Sequence, residues 1–397
     1  MFFRKCSLSV FALLVIAFTG SPLHADLLGV DWIGQAWRID QCTGESVLIG
    51  PTGFTGHNSL ARDNEGTFFT TGTIEIGISA DQCLLTINPD TGEATEVALL
   101  NLDAATEGTV RSLAFSPNGV LYATVRTPVS AGVANLYIID AETGDTMLVG
   151  STGQSGVQGL AFSEDGTLYG LGPLGRLGVI DASTGVWTAV SPTAPSNFVL
   201  QSIAFGPNEV LYACDNVFET LQVVDTTTGE ATLIGEGHFG DLRGIEFIPG
   251  TQPDVPPPVV ACQVNVPTLW SPNHEMVDVG MTFDVTESCG HTPKVEVFVL
   301  ANETDRNASV NDVEFDAEMN LRLSAERNGN GTGRVYLIVV IATDLLGQSG
   351  IECCSVVVPH SQTEAAEDIV NNNAVLAELE CLETLAPPED YYLLGGF

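Results

Sequence analysis

Basic residues are scarce in this chain. Thirteen Lys and Arg stand against 50 Asp and Glu, giving a formal net charge of −37 over 397 residues. A phosphate backbone would be repelled, which argues against nucleic acid as a partner. Charged residues total 16%, below the usual quarter, while an apolar content of 44% is ordinary, so this is not an acidic disordered chain. The acidity reads first as a solubility device, and second as affinity for divalent cations or tolerance of salt. The short motifs of common catalysts are also missing. No Gly-x-Ser-x-Gly, His-Glu-x-x-His, P-loop or EF-hand loop occurs. Asp63-Asn64-Glu65-Gly66 and Glu164-Asp165-Gly166 imitate calcium loops but fit tight turns better. Beyond residue 25 no apolar run approaches the roughly 20 residues that a membrane helix needs.

What is present begins with an export signal. Arg4 and Lys5 precede an apolar run at 8–18, and Ser21-Pro22-Leu23-His24-Ala25 supplies a turn and a small residue for cleavage. Residues 1–25 are therefore expected to leave, and the mature chain to be secreted, cell-surface or periplasmic with no membrane span. Nine cysteines occur. Cys6 falls in the leader, so an even number remains, as suits an oxidising compartment.

Two phrases repeat. One is an apolar pair, Asp or Asn, a short spacer and Thr-Gly: Ile39-Asp40-Gln41-Cys42-Thr43-Gly44, then copies anchored at Asn88, Asp140, Asp181 and Asp225. The anchors are about 41 to 52 residues apart, close to the period of a propeller blade (roughly 40–45 residues). The second phrase, Arg111-Ser112-Leu113-Ala114-Phe115-Ser116-Pro117-Asn118-Gly119-Val120-Leu121-Tyr122, has partners beginning at Asn58, Gln158, Gln201 and Arg243. Each reads strand, tight turn, strand. Five copies of each predict five four-stranded blades. The last copy lacks its second strand and the chain start lacks a first, so the two ends should pair and close the ring, removing open sheet edges.

The phrases Leu-Tyr-x-Ile-Asp-x-x-Thr-Gly and Gly-Leu-Ala-Phe-Ser-x-Asp-Gly-Thr-Leu-Tyr resemble those of bacterial secreted propellers of the WD40/YVTN/NHL-like class, over about 27–249. Propellers host many functions, so the resemblance speaks to fold more than to activity. It implies that the first strand of each blade is innermost, which puts Asn58, Arg111, Gln158, Gln201 and Arg243 around the channel mouth. Longer loops at 71–82, 124–135, 98–110 and 190–200 fall at the same end. The expected ligand site has Arg111 and Arg243 as charged donors and Asn58, Gln158 and Gln201 as neutral ones. An ordinary water-filled channel is the alternative, with acids such as Asp241 holding the arginines.

Residues 250–258, rich in proline, read as a stiff linker. Short strands follow over 259–360, suggesting a sandwich. Leu269-Trp270-Ser271-Pro272-Asn273-His274-Glu275-Met276-Val277 looks like the Leu-Trp-Pro-Pro-Asn-His-Lys-Met-Val motif of a bacterial Ig-like domain related to HYR modules. The stretches at 321–336 and 342–360 match its later signatures. The resemblance implies a spacer or adhesion module. With the export signal, it also implies two disulfides among Cys262, Cys289, Cys353 and Cys354. A zinc site using His274 or His291 is the rival reading. Cys42, Cys83 and Cys214 read as free thiols, and Cys381 has no evident partner. Residues 361–397 read as a solvated acidic helix, with Ile369, Leu376, Leu379 and Leu382 at helical spacing.

The expected class is thus all-β: a five-bladed β-propeller at 26–249, an Ig-like β-sandwich at 259–360 and a short C-terminal helix. The leading functional expectation is a non-catalytic binding or adhesion protein, without cofactor, metal or catalytic residues. Its partner would be a small polar or glycan ligand, or another surface protein. The alternatives are a propeller hydrolase or lyase acting on glycans and a structural envelope component.

Overall fold

The computed structural model describes residues 26–76, 79–102, 108–128, 132–190, 199–206, 209–249, 255–303, 312–316 and 318–397. Residues 1–25, read as an export signal, and most of the expected linker lie outside the described residues.

Residues 26–249 form a β-propeller of five four-stranded antiparallel sheets. The outer hairpin of each is built by its repeat phrase. In the first, Asp40 Oδ1 accepts the N–H groups of Cys42 and Thr43 at 2.8 and 2.9 Å. The N–H of Gly44 returns to the Asp40 carbonyl, with Gly44 at φ +73°. A carboxylate bonding backbone two and three residues on stabilises a tight turn locally, and Asp140 and Asp225 repeat the geometry. The same turns lock blade to blade. A Cβ on Gly235 would lie 1.9 Å from the Thr43 carbonyl oxygen, and one on Gly150 would lie 2.0 Å from that of Thr184. Only glycine lets the neighbouring turn approach so closely.

The ring closes through its ends. Strand Asp26–Asp31 pairs antiparallel with Leu242–Phe247, Leu28 opposite Glu246 and Gly29 opposite Ile245. The incomplete first and last repeats supply one sheet between them. The inner strands, Leu60–Arg62, Thr109–Phe115, Gln158–Phe162, Leu200–Phe205 and Leu242–Phe247, touch in a closed circuit. Ser59 and Ser202 stitch it by accepting the N–H groups of Leu113 and Ile245. The long loop expected at 71–82 is largely a hairpin extension, because Phe68–Ile76 continues its ladder with Ser79–Ile87.

The second unit carries a two-stranded, a three-stranded and a four-stranded sheet. One core unites them, with Val297, Leu323, Tyr336, Ile338, Val340 and Val356 buried together. Arg334 is fully buried beneath it. It pairs with Asp312 at 3.0 Å and donates to the Tyr336 hydroxyl, which donates in turn to the Ser324 carbonyl.

The C-terminal segment departs from expectation. The helix Glu364–Thr384, capped by Thr363, is not a solvated appendage. Val370, Ala374, Ala377 and Cys381 are buried against the four-stranded sheet. Ile369, Leu376 and Leu379, which the spacing singled out, are 47%, 63% and 51% exposed. Small side chains let the helix axis come close to the sheet, so they won the inner face over the larger ones. After the helix, Tyr392–Gly396 adds an edge strand to Lys294–Ala301.

The cysteine expectation is corrected too. Cys262 pairs with Cys354 as a disulfide within the second unit. Cys353 reaches Cys381 on the helix, and Cys289 reaches Cys42 in the propeller. Cys353 and Cys354 do point to opposite faces of their strand, as adjacent strand residues must, and this sends them to different partners. Cys83 and Cys214 are free and buried, and burial pushes their thiols up to about 11 and about 12. The zinc reading loses its ligands. Cys289 is oxidised, His291 Nε2 donates to the Cys42 carbonyl at 2.6 Å, and His274 sits 3.2 Å from Glu326. Among the described residues, no helix is long and apolar enough to cross a membrane.

Candidate functional site

The inner strands share a local irregularity that aims their side chains. Arg111, Gln201 and Arg243 are each skipped in the pairing of inner strand with second strand, at register shifts Val110/Ser112, Leu200/Ser202 and Leu242/Gly244. In the blade of Gln158 the skipped residue is Gly159, at φ +56°. Such bulges re-aim a side chain out of the sheet's alternation.

The five residues expected to form one ring do not act as one. Gln201 Nε2 donates to Gln158 Oε1, so these two satisfy each other. Asn58 is buried, and its Nδ2 is 3.4 Å from the Gly56 carbonyl. Arg243 is braced by Asp241 through Nε–Oδ1 at 2.6 Å and a second contact at 2.7 Å. Its guanidinium also lies 5.6 Å from the centre of the Trp32 ring, and Asp241 is further held by Asn216. Arg243 is therefore a structural cation, the use that the acid two residues earlier had suggested. His57, beside Asn58, is fully buried between the Thr52 hydroxyl and the Thr71 carbonyl. Burial holds its imidazole below the usual value, against the pull of the Thr71 and Phe54 backbone and of Asp31. It belongs to the core.

Arg111 differs. Among the described residues no carboxylate pairs with it. Its guanidinium is pushed down from the ordinary value by burial first, then by the like charges of Arg126 and Arg243. Arg111 and Arg126 line one open cavity of about 430 Å³, together with Gly108, Thr109, Thr127, Pro128 and Gly132. Like charges repel, so two guanidiniums facing one space favour an anion between them. The glycines make the room. A Cβ on Gly108 would sit 1.9 Å from the Arg126 carbonyl oxygen, and one on Gly132 would sit 2.8 Å from Arg126 Nε. Arg126 ends the second strand Leu121–Arg126, and a reading confined to inner-strand starts passes over it. Its signal was its rarity in so acidic a chain.

No protein-family profile matches the chain, and no curated protein matches it in sequence. Solved structures do match in fold. The nidogen/laminin complex has a chain 12% identical, with 56% of this chain and 98% of that chain covered and a TM-score of 0.40. The PQQ-bound aldose sugar dehydrogenase of Streptomyces coelicolor is 15% identical over 60% of this chain and 84% of its own, at a TM-score of 0.39. A gluconolactonase from Xanthomonas campestris is 14% identical over 56% of this chain and 80% of its own, at 0.35. At such scores the likeness assigns no activity. The expectation that the chain is not an enzyme is corrected to this extent: an aldose sugar dehydrogenase and a gluconolactonase are among the structures to which it is similar.

Proposed function

We propose that this is an exported protein whose propeller takes a small anionic, polyhydroxylated ligand, of the sugar-acid class, into the cavity beside Arg111 and Arg126. One observation carries the reading: two guanidiniums line a single cavity, and no carboxylate among the described residues pairs with either, in a chain of net charge −37. Arginine presents forked N–H donors that match a carboxylate. The cavity falls in the size range of small-molecule sites, about 300–1,000 Å³. Three disulfides suit an oxidising compartment and agree with the leader read at 1–25. The second unit, read as Ig-like, is an attachment module fixed to the propeller, since a disulfide and the His291–Cys42 hydrogen bond hold it there.

The same arginine pair favours a second reading, a lyase acting on glycans that contain uronic acids. In such an elimination the C–H proton beside the sugar carboxylate passes to a base from solvent, the C–O bond to the adjoining sugar breaks, and that sugar leaves as its alcohol after protonation, while the fixed cations stabilise the charge that develops at the carboxylate. One screen tests both. Glucuronate, galacturonate, gluconate and oligouronates are presented to the full chain while binding and ultraviolet absorbance of unsaturated products are followed. Saturable binding supports the first reading, and product formation lost in Arg111→Ala supports the second. Binding of neutral glycans with no preference for the acids overturns both.

A further inference from the structure

The opposite end of the channel holds a second cavity, of about 570 Å³. It is built where the five inner strands run into their hairpin turns, and the repeat makes its composition readable. Ala61, Ala114, Ala161 and Ala204 share one position, and the fifth blade has Glu246 there. At the next position stand Phe115, Phe162, Phe205 and Phe247, and all four line the cavity. Its charged lining is Glu246, Asp63, Glu164 and Glu209 against Arg62 alone.

Glu246 stands where four blades carry alanine, and it is tied into the ring by the backbone of Phe247 and by that of Arg62 on the neighbouring inner strand. Its Oε1 accepts the N–H of Phe247 at 3.0 Å, and Arg62 on the neighbouring inner strand offers a positive charge. The residue is half-buried, yet loss of water around its carboxyl outweighs these contacts and pushes it up to about 7. Among the described residues that line the cavity there is no further cation. Leu28 lies opposite on the closing strand, the inner strand Leu200–Phe205 has no charged residue, and the adjoining turns contribute Asp63, Glu164 and Glu209.

We propose that this cavity binds a small organic cation, an alkylammonium or quaternary ammonium group, with Glu246 as its counter-ion and the phenylalanines as its walls. The excess of carboxylates repels anions, so the ligand class differs from that at Arg111. Phenyl rings attract a weakly hydrated organic cation through their quadrupoles, and they offer a strongly hydrated metal ion nothing in exchange for its water. Binding draws a proton off Glu246, because the cation favours the carboxylate.

The test is titration of the full chain with tetramethylammonium chloride, against sodium chloride at equal ionic strength, at pH 6, 7 and 8. The expected result is saturable binding that weakens by up to roughly tenfold per pH unit below about 7 and levels above it. Glu246→Gln and Glu246→Ala should weaken it by about tenfold or more and remove the pH dependence. Arg111→Ala should leave it unchanged, which separates this site from the anion site. The alanine variant carries the residue of the other four blades, and the glutamine variant keeps the shape of the side chain. Sodium competing as well as tetramethylammonium, absence of saturable binding, or full binding by Glu246→Gln would each overturn the proposal.

Discussion

Cys42, in the outer turn of the blade that closes the propeller, is bonded to Cys289 of the second unit across 247 residues of sequence. The contact is more than a tether. His291 bonds the Cys42 carbonyl, and Leu346 of the second unit packs with Leu27, Phe239 and Ile245 of the propeller. The two units therefore meet through a covalent bond, a hydrogen bond and a shared apolar cluster.

Cys289→Ser should lower the melting temperature and leave Cys42 as a free thiol. Chain-entropy reasoning gives about 5.5 kcal/mol as an upper value for so long a loop, and the residual packing will retain part of the docking. Non-reducing peptide mapping of the parent protein checks the pairing directly. A Cys289 peptide linked to Cys262, Cys353 or Cys354 would contradict it.

Glu246→Ala should stabilise the propeller in a pH-dependent way. The folded-state value of about 7 lies above the ordinary 4.5, so the folded state holds this proton more tightly than the unfolded one. Stability contributed by Glu246 is thus lost as pH rises from 4.5 to 7, by at most about 3 kcal/mol. Above that window the cost is fully present, and below it the cost is absent. Thermal melts at pH 5 and pH 8 should show the alanine variant gaining on the parent only at pH 8. An equal difference at both values would mean that the carboxyl ionises normally.

The helix face yields a paired comparison. Ala377→Asp places a carboxylate against the sheet and should cost several kcal/mol, roughly 2–4. Leu376→Asp, one residue away and 63% exposed, should stay within about 0.5 kcal/mol. Urea unfolding curves of the two variants decide it. A larger loss at Leu376 would reverse the helix's orientation.

These cases show what the amino-acid order made legible. Blade turns can be read because their causes are local: Asp40 bonds backbone two and three residues on, and Gly44 takes a positive φ, whatever surrounds them. Ring closure follows from counting strands at the two ends. The disulfides could not be read in the same way, since Cys289 meets Cys42 only after two units dock, and Cys353 meets Cys381 only after a helix lies down. The helix face misled because Leu376 and Leu379 are large and apolar, while the close approach needed Ala374 and Ala377. Of the expected site, Arg111 lines a cavity and is paired with no carboxylate among the described residues. Arg243 is taken by Asp241, and the two glutamines are taken by each other. Glu246 was visible as a glutamate in a column of alanines.

The anion cavity can be tested by calorimetric titration of galacturonate into the parent chain, Arg111→Ala and Arg126→Ala, each with its melting temperature recorded. The predicted result is binding in the parent and a loss of roughly tenfold or more in each variant, with melting unchanged. Arg243→Ala, by contrast, should lower the melting temperature through its released partner Asp241. Undiminished galacturonate binding in Arg111→Ala and Arg126→Ala, or loss of binding only where melting also falls, would mean that the two arginines do not hold an anion.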